Sequence, residues 1–391
     1  MMNLSNSFEF TCPTKTNSGN RALENIPVEL ESLDARKPLV ITGTDIVDQQ
    51  LIDIFLGAFG NSGMTLGIFD SIGKNADSSM IEQLKKAYID EKFDSIIALG
   101  GGPVMDAAKS LNIMVSLPTA DLRNSSATSL IQKPLRPLVY VPADTATGLE
   151  TSKFASINGA TLSSHYFMPN LVIIDPRMTR VKNGKAVFAN TLAAFCRALE
   201  AYTGQDKNPL TDSYAFAAIQ FICENFLTLL ATPGDSKAGL AIANAMAMSG
   251  CAFSNVEAGM LHRIAQALPA RINAQSGIVM SVCLPHVFAY CGKKSGYFIA
   301  EALLPLAGHD EYAAVPAKQR LEKTLKFIGQ FLTELSVKGP ERIPASLTEA
   351  GIESSMIDDI LSNLKLDQDT QMNADDFRAV LESACEGRPV A

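Results

Sequence analysis

Three consecutive glycines, followed at helical spacing by an aspartate and a lysine, are the residues of this sequence most suited to chemistry. They are Gly100, Gly101, Gly102, Asp106 and Lys109. Glycines let the backbone turn with positive φ and let another group approach closely. A helix that begins at such a turn directs its first N–H groups and its positive dipole end towards that space, which favours phosphate. The stretch therefore predicts a nucleotide-phosphate site, with a purely structural turn as the alternative.

A second polar group follows another apolar run, 138–142. It contains Asp144, Thr145 and Thr147, with Gly148 and Glu150 directly after them. Hydroxyl and carboxylate groups at the end of a strand are suited to hydrogen bonds with phosphate or ribose. An ordinary threonine-rich loop is the equally weighted alternative.

The elements that would position these residues alternate between strand and helix from residue 37 to 176. Strands are predicted at 38–42, 64–69, 95–99, 138–142 and 171–175, and helices at 49–59, 80–90 and 104–115. This alternation predicts an α/β domain with a doubly wound parallel sheet. Ligands of such sheets bind beyond the carboxyl ends of the strands, where the glycine turn lies.

The pattern changes to helix alone after about residue 180. Segments rich in Ala, Leu and Met with helical spacing are predicted at 189–203, 209–230, 238–255 and 318–335. We therefore expect two domains: an α/β domain over residues 1–180 and an all-α domain over 181–391.

Composition restricts the classes of partner. The chain has 391 residues, a formal net charge of −8 and a pI near 5.2, which argue against nucleic acid or an anionic membrane as a partner. Its seven cysteines form no CxxC pair, which favours a reducing compartment. No signal peptide or apolar run of transmembrane length is evident, so we expect a cytoplasmic protein.

Taken in order along nearly the whole chain, several short motifs resemble those of the iron-containing (group III) alcohol dehydrogenase family. The glycine turn, 100–109, is similar to GGGSxxDxAK, and 147–150 falls where the family has TGSE. Further matches are a DP after a strand at 175–176, EAY at 200–202, NPxTD at 208–212, AFSN at 252–255 followed by GLxH at 259–262, and LPHV at 284–287.

The resemblance implies an N-terminal Rossmann-like sheet and an all-helical C-terminal domain, the architecture of the dehydroquinate synthases. It also implies an oxidoreductase that uses NAD or NADP, acts on a small alcohol or carbonyl compound and forms a homodimer. The family holds a divalent metal, usually iron or zinc, whose role as a Lewis acid is to stabilise alkoxide during hydride transfer.

The metal-ligand positions implied by the resemblance have largely lost their ligands. The family's Asp, His, His and His correspond here to Ala193, Arg197, His262 and Ser276. A methyl group, a guanidinium and a hydroxyl do not complete a tight site with one imidazole, and a fixed cation repels a metal ion. We therefore expect no bound metal, so the site is degenerate.

The resemblance leaves the choice between NAD and NADP open. At the end of the first predicted strand, where NAD-preferring members carry an acid, this chain has Gly43, with Asp45 two residues on. Gly43 leaves room for a 2′-phosphate, whereas Asp45 favours the ribose hydroxyls of NAD. Pro103 also removes one N–H from the glycine turn.

Two functional hypotheses follow. In the first, Arg197 replaces the metal as the cation that holds the substrate oxygen, and His262 exchanges a proton because its pKa lies near neutrality. Arg263 and Arg271 would widen this into a basic pocket for an acidic substrate. For these two residues the alternative is that Arg197 points to solvent or to a carboxylate such as Glu200, and that His262 only packs. In the second hypothesis, the chain is a catalytically silent homologue that keeps the fold as a binding or assembly partner.

Overall fold

The computed structural model describes most of the chain, which forms two compact units by its internal contacts. The described residues are 7–48, 50–73, 78–117, 131–143, 147–157, 160–179, 184–269, 272, 274–294, 296–364, 366 and 372–387. One unit, here the sheet unit, contains Thr11–Asn183 and Pro233–Ala247; the other, the helical unit, contains Met1–Phe10, Gly184–Thr232 and Met248–Ala391. The expected boundary at 180/181 falls within 180–183, outside the described residues, and stays a prediction.

The sheet unit contains a six-stranded sheet and a two-stranded one. The strands are β1 Lys15–Ser18, β2 Pro38–Gly43, β3 Gly67–Ile72, β4 Ser95–Gly100, β5 Leu138–Pro142, β6 Phe154–Ile157, β7 Ala160–Ser163 and β8 Leu171–Ile174. The larger sheet has the order β1-β8-β5-β4-β2-β3 with every pair parallel, and β6 and β7 form an antiparallel pair. The expected parallel sheet is confirmed.

The carboxyl ends of three strands lie side by side in the middle of this sheet. Thr42 of β2 pairs with Leu99 of β4, and Gly100 of β4 pairs with Pro142 of β5. The glycine turn therefore begins between the ends of β2 and β5, as the doubly wound arrangement requires for a ligand site.

Helices cover both faces of the sheet. They are α1 Ile26–Ser32, α2 Thr44–Asp48, α3 Leu51–Gly57, α4 Ser78–Asp90 and α5 Gly102–Ser116. Successive residues of β4 enter different cores: Ile96 and Ala98 belong to one apolar cluster, and Ile97 and Leu99 to the other. A strand buried on both faces explains why this run of sequence is continuously apolar.

The described part of the helical unit is mostly helical, as expected. Its helices are α6 Gly184–Thr203, α7 Pro209–Ala231, α8 Ser236–Phe253, α9 Met260–Ala267, α10 Ser276–Cys291, α11 Leu303–Ala314, α12 Arg320–Lys338, α13 Ile357–Asn363 and α14 Ala374–Glu386, although the residues of α8 up to Ala247 belong to the sheet unit. By length and composition alone, α7 could cross a membrane, a property that core helices of other proteins share. None of the seven cysteines forms a disulfide bond.

The sequence did not predict β1, β6 or β7, and it placed β3 about three residues too early. β1, β6 and β7 have only four residues each, too few for a strand pattern to show, so only their pairing identifies them. The helix expected over 49–59 is α3, Leu51–Gly57. The short helix α2 before it was not predicted, and Gln50, with a φ of 60°, separates the two.

Candidate functional site

The glycine turn has a geometry that only glycine adopts easily. Gly100 has a φ of 146°, and its carbonyl oxygen accepts a hydrogen bond of 2.8 Å from the Tyr140 hydroxyl. Gly101 is extended at the N-cap position, and Gly102 begins α5. Because Gly101 has no side chain to cap the helix, the first N–H groups of α5 are suited to an external acceptor such as phosphate.

Thr147 lies beside this turn, as the sequence predicted. A Cβ atom added to Gly102 would lie 3.1 Å from the Thr147 methyl group. Glu150 holds the loop: its Oε1 accepts hydrogen bonds from the N–H groups of Thr147 at 2.5 Å and Gly148 at 3.2 Å. Asp144 and Thr145, also predicted to bind the cofactor, lie outside the described residues.

Asp106 and Lys109 use their polar atoms to hold β6. The Lys109 side chain is 2% exposed, and its Nζ donates to the carbonyl oxygens of Ser152 at 2.9 Å and Phe154 at 2.5 Å. Asp106 Oδ1 accepts from the Ser156 N–H at 3.0 Å. Burial raises the pKa of Asp106 to about 6 and lowers the pKa of Lys109 to about 8. These contacts give both residues a structural role that the sequence did not indicate.

At the end of β2, Asp45 occupies the space that Gly43 leaves open. A Cβ atom at Gly43 would lie 2.4 Å from Asp45 Oδ1 and 3.1 Å from the Ile72 carbonyl oxygen. The carboxylate therefore lies over the end of β2, the strand beside β4 and its glycine turn.

In the helical unit, two charged side chains of α6, Arg197 and Glu200, bear on the start of α9. Arg197 is 5% exposed, so the alternative that it points to solvent is wrong. Glu200, three residues on in α6, accepts hydrogen bonds from the N–H groups of Leu261 at 2.7 Å and His262 at 3.3 Å. The sequence marked Glu200 as part of a family motif and as a candidate partner of Arg197, but it missed this contact with α9.

His262 does not titrate near neutrality, which corrects the reason given for its role in proton exchange. Burial, together with the charges of Arg197 and Arg263, lowers the pKa of His262 to about 3. Its ring packs edge-on against Phe253, with ring centroids 4.5 Å apart. The imidazole is therefore neutral at physiological pH and can act as a hydrogen-bond donor or acceptor.

The residues at the four family ligand positions do not fit a metal ion. Ala193 is buried in α6. The backbone of Gly277 packs against it so closely that a Cβ atom added to Gly277 would lie 3.0 Å from the Ala193 nitrogen. Ser276 is exposed, and Arg197 contributes a buried cation. Among the described residues, no three His, Cys, Asp or Glu side chains are grouped to hold a metal.

A cavity of about 120 Å³ lies within the helical unit, behind the start of α9. Its wall includes Glu200, Gly259, Arg263 and the aromatic ring of Tyr297, but not Arg197 or His262. The Arg263 Nε donates to the Ala258 carbonyl oxygen at 2.8 Å. Arg271, the second arginine expected to form a basic pocket, lies outside the described residues.

Two of the family motifs have structural roles in their own units. In the NPxTD stretch, Asn208 caps α7 by accepting from the Thr211 N–H at 2.9 Å, and buried Lys207 pairs with Asp212 at 2.9 Å. In the DP stretch, Asp175 accepts from the Leu23 N–H at 3.2 Å. These contacts stabilise the fold.

Comparison with known proteins gives consistent matches over both units. The family model described as iron-containing alcohol dehydrogenase matches residues 13–176, and the model of the C-terminal part of that family matches residues 188–384. A long-chain-alcohol dehydrogenase of Geobacillus thermodenitrificans is 25% identical over 96% of each chain. An NAD-dependent methanol dehydrogenase of Bacillus methanolicus is 26% identical over 72% of this chain and 75% of the relative.

The fold is shared with solved structures at lower sequence identity. The crystal structure of a 1,3-propanediol oxidoreductase superposes with a TM-score of 0.86 at 22% identity, covering 97% of this chain and 100% of the other. At that identity the likeness concerns the fold alone.

Proposed function

Because this chain belongs to the iron-containing alcohol dehydrogenase family, we propose that it is an NAD(P)-dependent oxidoreductase that interconverts an alcohol and an aldehyde or ketone without a metal ion. The observation that carries the metal-free mechanism is the buried Arg197 guanidinium near a neutral His262. A small-molecule substrate, a cytoplasmic location and a homodimer, with neither nucleic acid nor membrane as partner, complete the proposal.

The sheet unit would bind the dinucleotide, and its residues fit such a group. The uncapped start of α5, with Thr147 beside Gly102, offers N–H and hydroxyl donors to the pyrophosphate. The carboxylate of Asp45 over Gly43 supports NAD over NADP, since it would accept from ribose hydroxyls and repel a 2′-phosphate. When bound, the nicotinamide supplies or accepts the hydride.

The helical unit would act on the substrate oxygen. In the reducing direction this oxygen gains negative charge, and the Arg197 guanidinium stabilises that charge more strongly in a buried site than in water. Neutral His262 would donate an N–H hydrogen bond to the same oxygen, as a neutral imidazole can. Water then supplies the proton that the alkoxide takes up.

A catalytically silent homologue is the second candidate, and one observation favours it. Asp106 and Lys109, which the sequence assigned to the cofactor, are hydrogen-bonded to the backbone of residues 152–156. Their presence therefore does not require a bound dinucleotide.

Cofactor binding and turnover separate the two candidates. Purified protein treated with EDTA is titrated with NADH and NADPH by fluorescence, and is then assayed with aldehydes and ketones. We expect binding and carbonyl reduction in EDTA, with kcat about 100-fold lower in Arg197→Gln. Arg342→Gln, an exposed arginine of the same unit, is the control.

Absence of binding with either cofactor would favour the silent homologue. Reduction that appears only after iron or zinc is added would overturn the metal-free mechanism.

A further inference from the structure

Helix α9 is capped by a side chain from a distant part of the chain. Its N-cap residue is Gly259, so the cap cannot come from the helix itself. Instead, the two carboxylate oxygens of Glu200 accept the N–H groups of Leu261 and His262, at 2.7 and 3.3 Å. These are the second and third residues of α9, whose N–H groups a local Ser, Thr, Asn or Asp cap satisfies in other helices.

Gly259 is required for this arrangement. A Cβ atom there would lie 2.3 Å from Glu200 Oε1, 2.4 Å from Cδ and 2.9 Å from Oε2. Such distances are far below van der Waals contact, so any other residue at 259 displaces the carboxylate. The two residues therefore depend on each other: because Gly259 has no side chain, the Glu200 carboxylate has room to lie there.

The carboxylate also connects the two residues assigned to the substrate. Arg197 lies one turn before Glu200 in α6, and His262 donates its own backbone N–H to Glu200. The cavity beside Gly259 and Glu200 leaves room for the start of α9 to shift if the cap is lost. The hydrogen bonds to Glu200 therefore add to the packing of Met260 and Leu261 in fixing this end of the helix.

We propose that Glu200 is a positioning residue, which holds α9 so that the His262 side chain is set relative to Arg197. The inference rests on the proposed function for its catalytic consequence, but not for the cap itself. A displacement of about 1 Å at a catalytic group can reduce turnover by about 100-fold.

The test uses Glu200→Ala, Glu200→Gln and Gly259→Ala in the full-length protein. Amide hydrogen exchange of the peptide containing residues 260–264 reports the cap without any activity. We expect faster exchange in all three variants, with Glu200→Gln intermediate because its amide oxygen still accepts one hydrogen bond. We expect kcat to fall about 10- to 100-fold, with KM for the dinucleotide unchanged.

Two matched controls exclude a general loss of stability. Asn208→Ala removes the N-cap of α7 in the same unit, and Gly329→Ala adds a methyl group to α12 where nothing lies within 4 Å. Both should keep kcat within about twofold of wild type at a temperature where Asn208→Ala and Glu200→Ala are both folded.

A double variant tests the pairing of the two residues. In the Glu200→Ala background the added methyl group of Gly259→Ala meets no carboxylate, so the double variant should resemble Glu200→Ala alone. Unchanged exchange at 260–264 in Glu200→Ala, or fully additive effects, would overturn the proposal. If exchange at 260–264 is faster in Glu200→Ala but the wild type reduces no carbonyl compound, Glu200 is confirmed as the cap of α9 and the proposed function is rejected.

Discussion

The carboxylate of Asp45 lies against the α-carbon of Gly43 at the end of β2, where a Cβ atom would be 2.4 Å from Oδ1. In the sequence alone the two residues indicate opposite cofactor preferences, since Gly43 leaves room for a 2′-phosphate and Asp45, in the first turn of α2, favours ribose hydroxyls. The carboxylate fills the space that Gly43 leaves, so the two residues together support the proposed preference for NAD.

Replacing Asp45 should relax the choice of cofactor. In Asp45→Asn the repulsion of a 2′-phosphate disappears and one acceptor for the ribose hydroxyls is lost. We expect the NADH dissociation constant to rise about 10-fold and the NADPH constant to fall, measured by fluorescence titration. Asp53→Asn, on the exposed side of α3, should change neither constant. Stronger binding of NADPH than NADH by the wild type would contradict the assignment.

Lys109 should act on stability through β6. Lys109→Met keeps a long unbranched side chain but leaves the Ser152 and Phe154 carbonyl oxygens without this donor, which costs about 1–3 kcal/mol for a buried acceptor. We expect a lower melting temperature and faster hydrogen exchange over β6 and β7, with exposed Lys86→Met as the control. Normal melting with lost NADH binding would instead indicate a direct cofactor contact.

Metal content tests the assignment of the four ligand positions. The wild type should retain no stoichiometric iron or zinc after loading and dialysis. The triple variant Ala193→Asp, Arg197→His, Ser276→His restores the family's donors beside His262, so it should retain about one zinc ion per chain, measured by mass spectrometry. A wild-type protein that holds one metal ion per chain would show that other residues complete a site.

His262 should remain neutral over the physiological range. With a folded-state pKa of about 3, below the value near 6.5 for an exposed histidine, its NMR signals should not shift between pH 5 and 8. The variant His262→Ala, which lacks this signal, assigns it. A midpoint between pH 6 and 7 would contradict the burial and charge effects described above.

The lowered pKa of His262 also makes the stability of the fold depend on pH. Between pH 6.5 and 3 the unfolded chain binds a proton at residue 262 that the folded chain excludes, so the free energy of unfolding decreases as the pH falls. The melting temperature of the wild type should therefore fall more steeply below pH 6 than that of His262→Gln, whose side chain binds no proton in this range.

Local patterns were enough to predict the main elements. The apolar run of β4 and the three glycines after it predict a strand, a turn and a helix start, because a short apolar run before glycines favours a strand and glycine permits positive φ. Helical spacing likewise predicted α6, α7 and α12 within a few residues. The family motifs then indicated Arg197 and His262 as candidate substrate-site residues.

Only the tertiary structure decided what those residues do. The pKa of His262 depends on burial and on Arg197 from another helix, and the role of Lys109 depends on carbonyl groups more than 40 residues away. The cap on α9 joins Glu200 to an N–H group 61 residues later. Desolvation, charge and hydrogen bonding act through space, so residue order alone does not determine them.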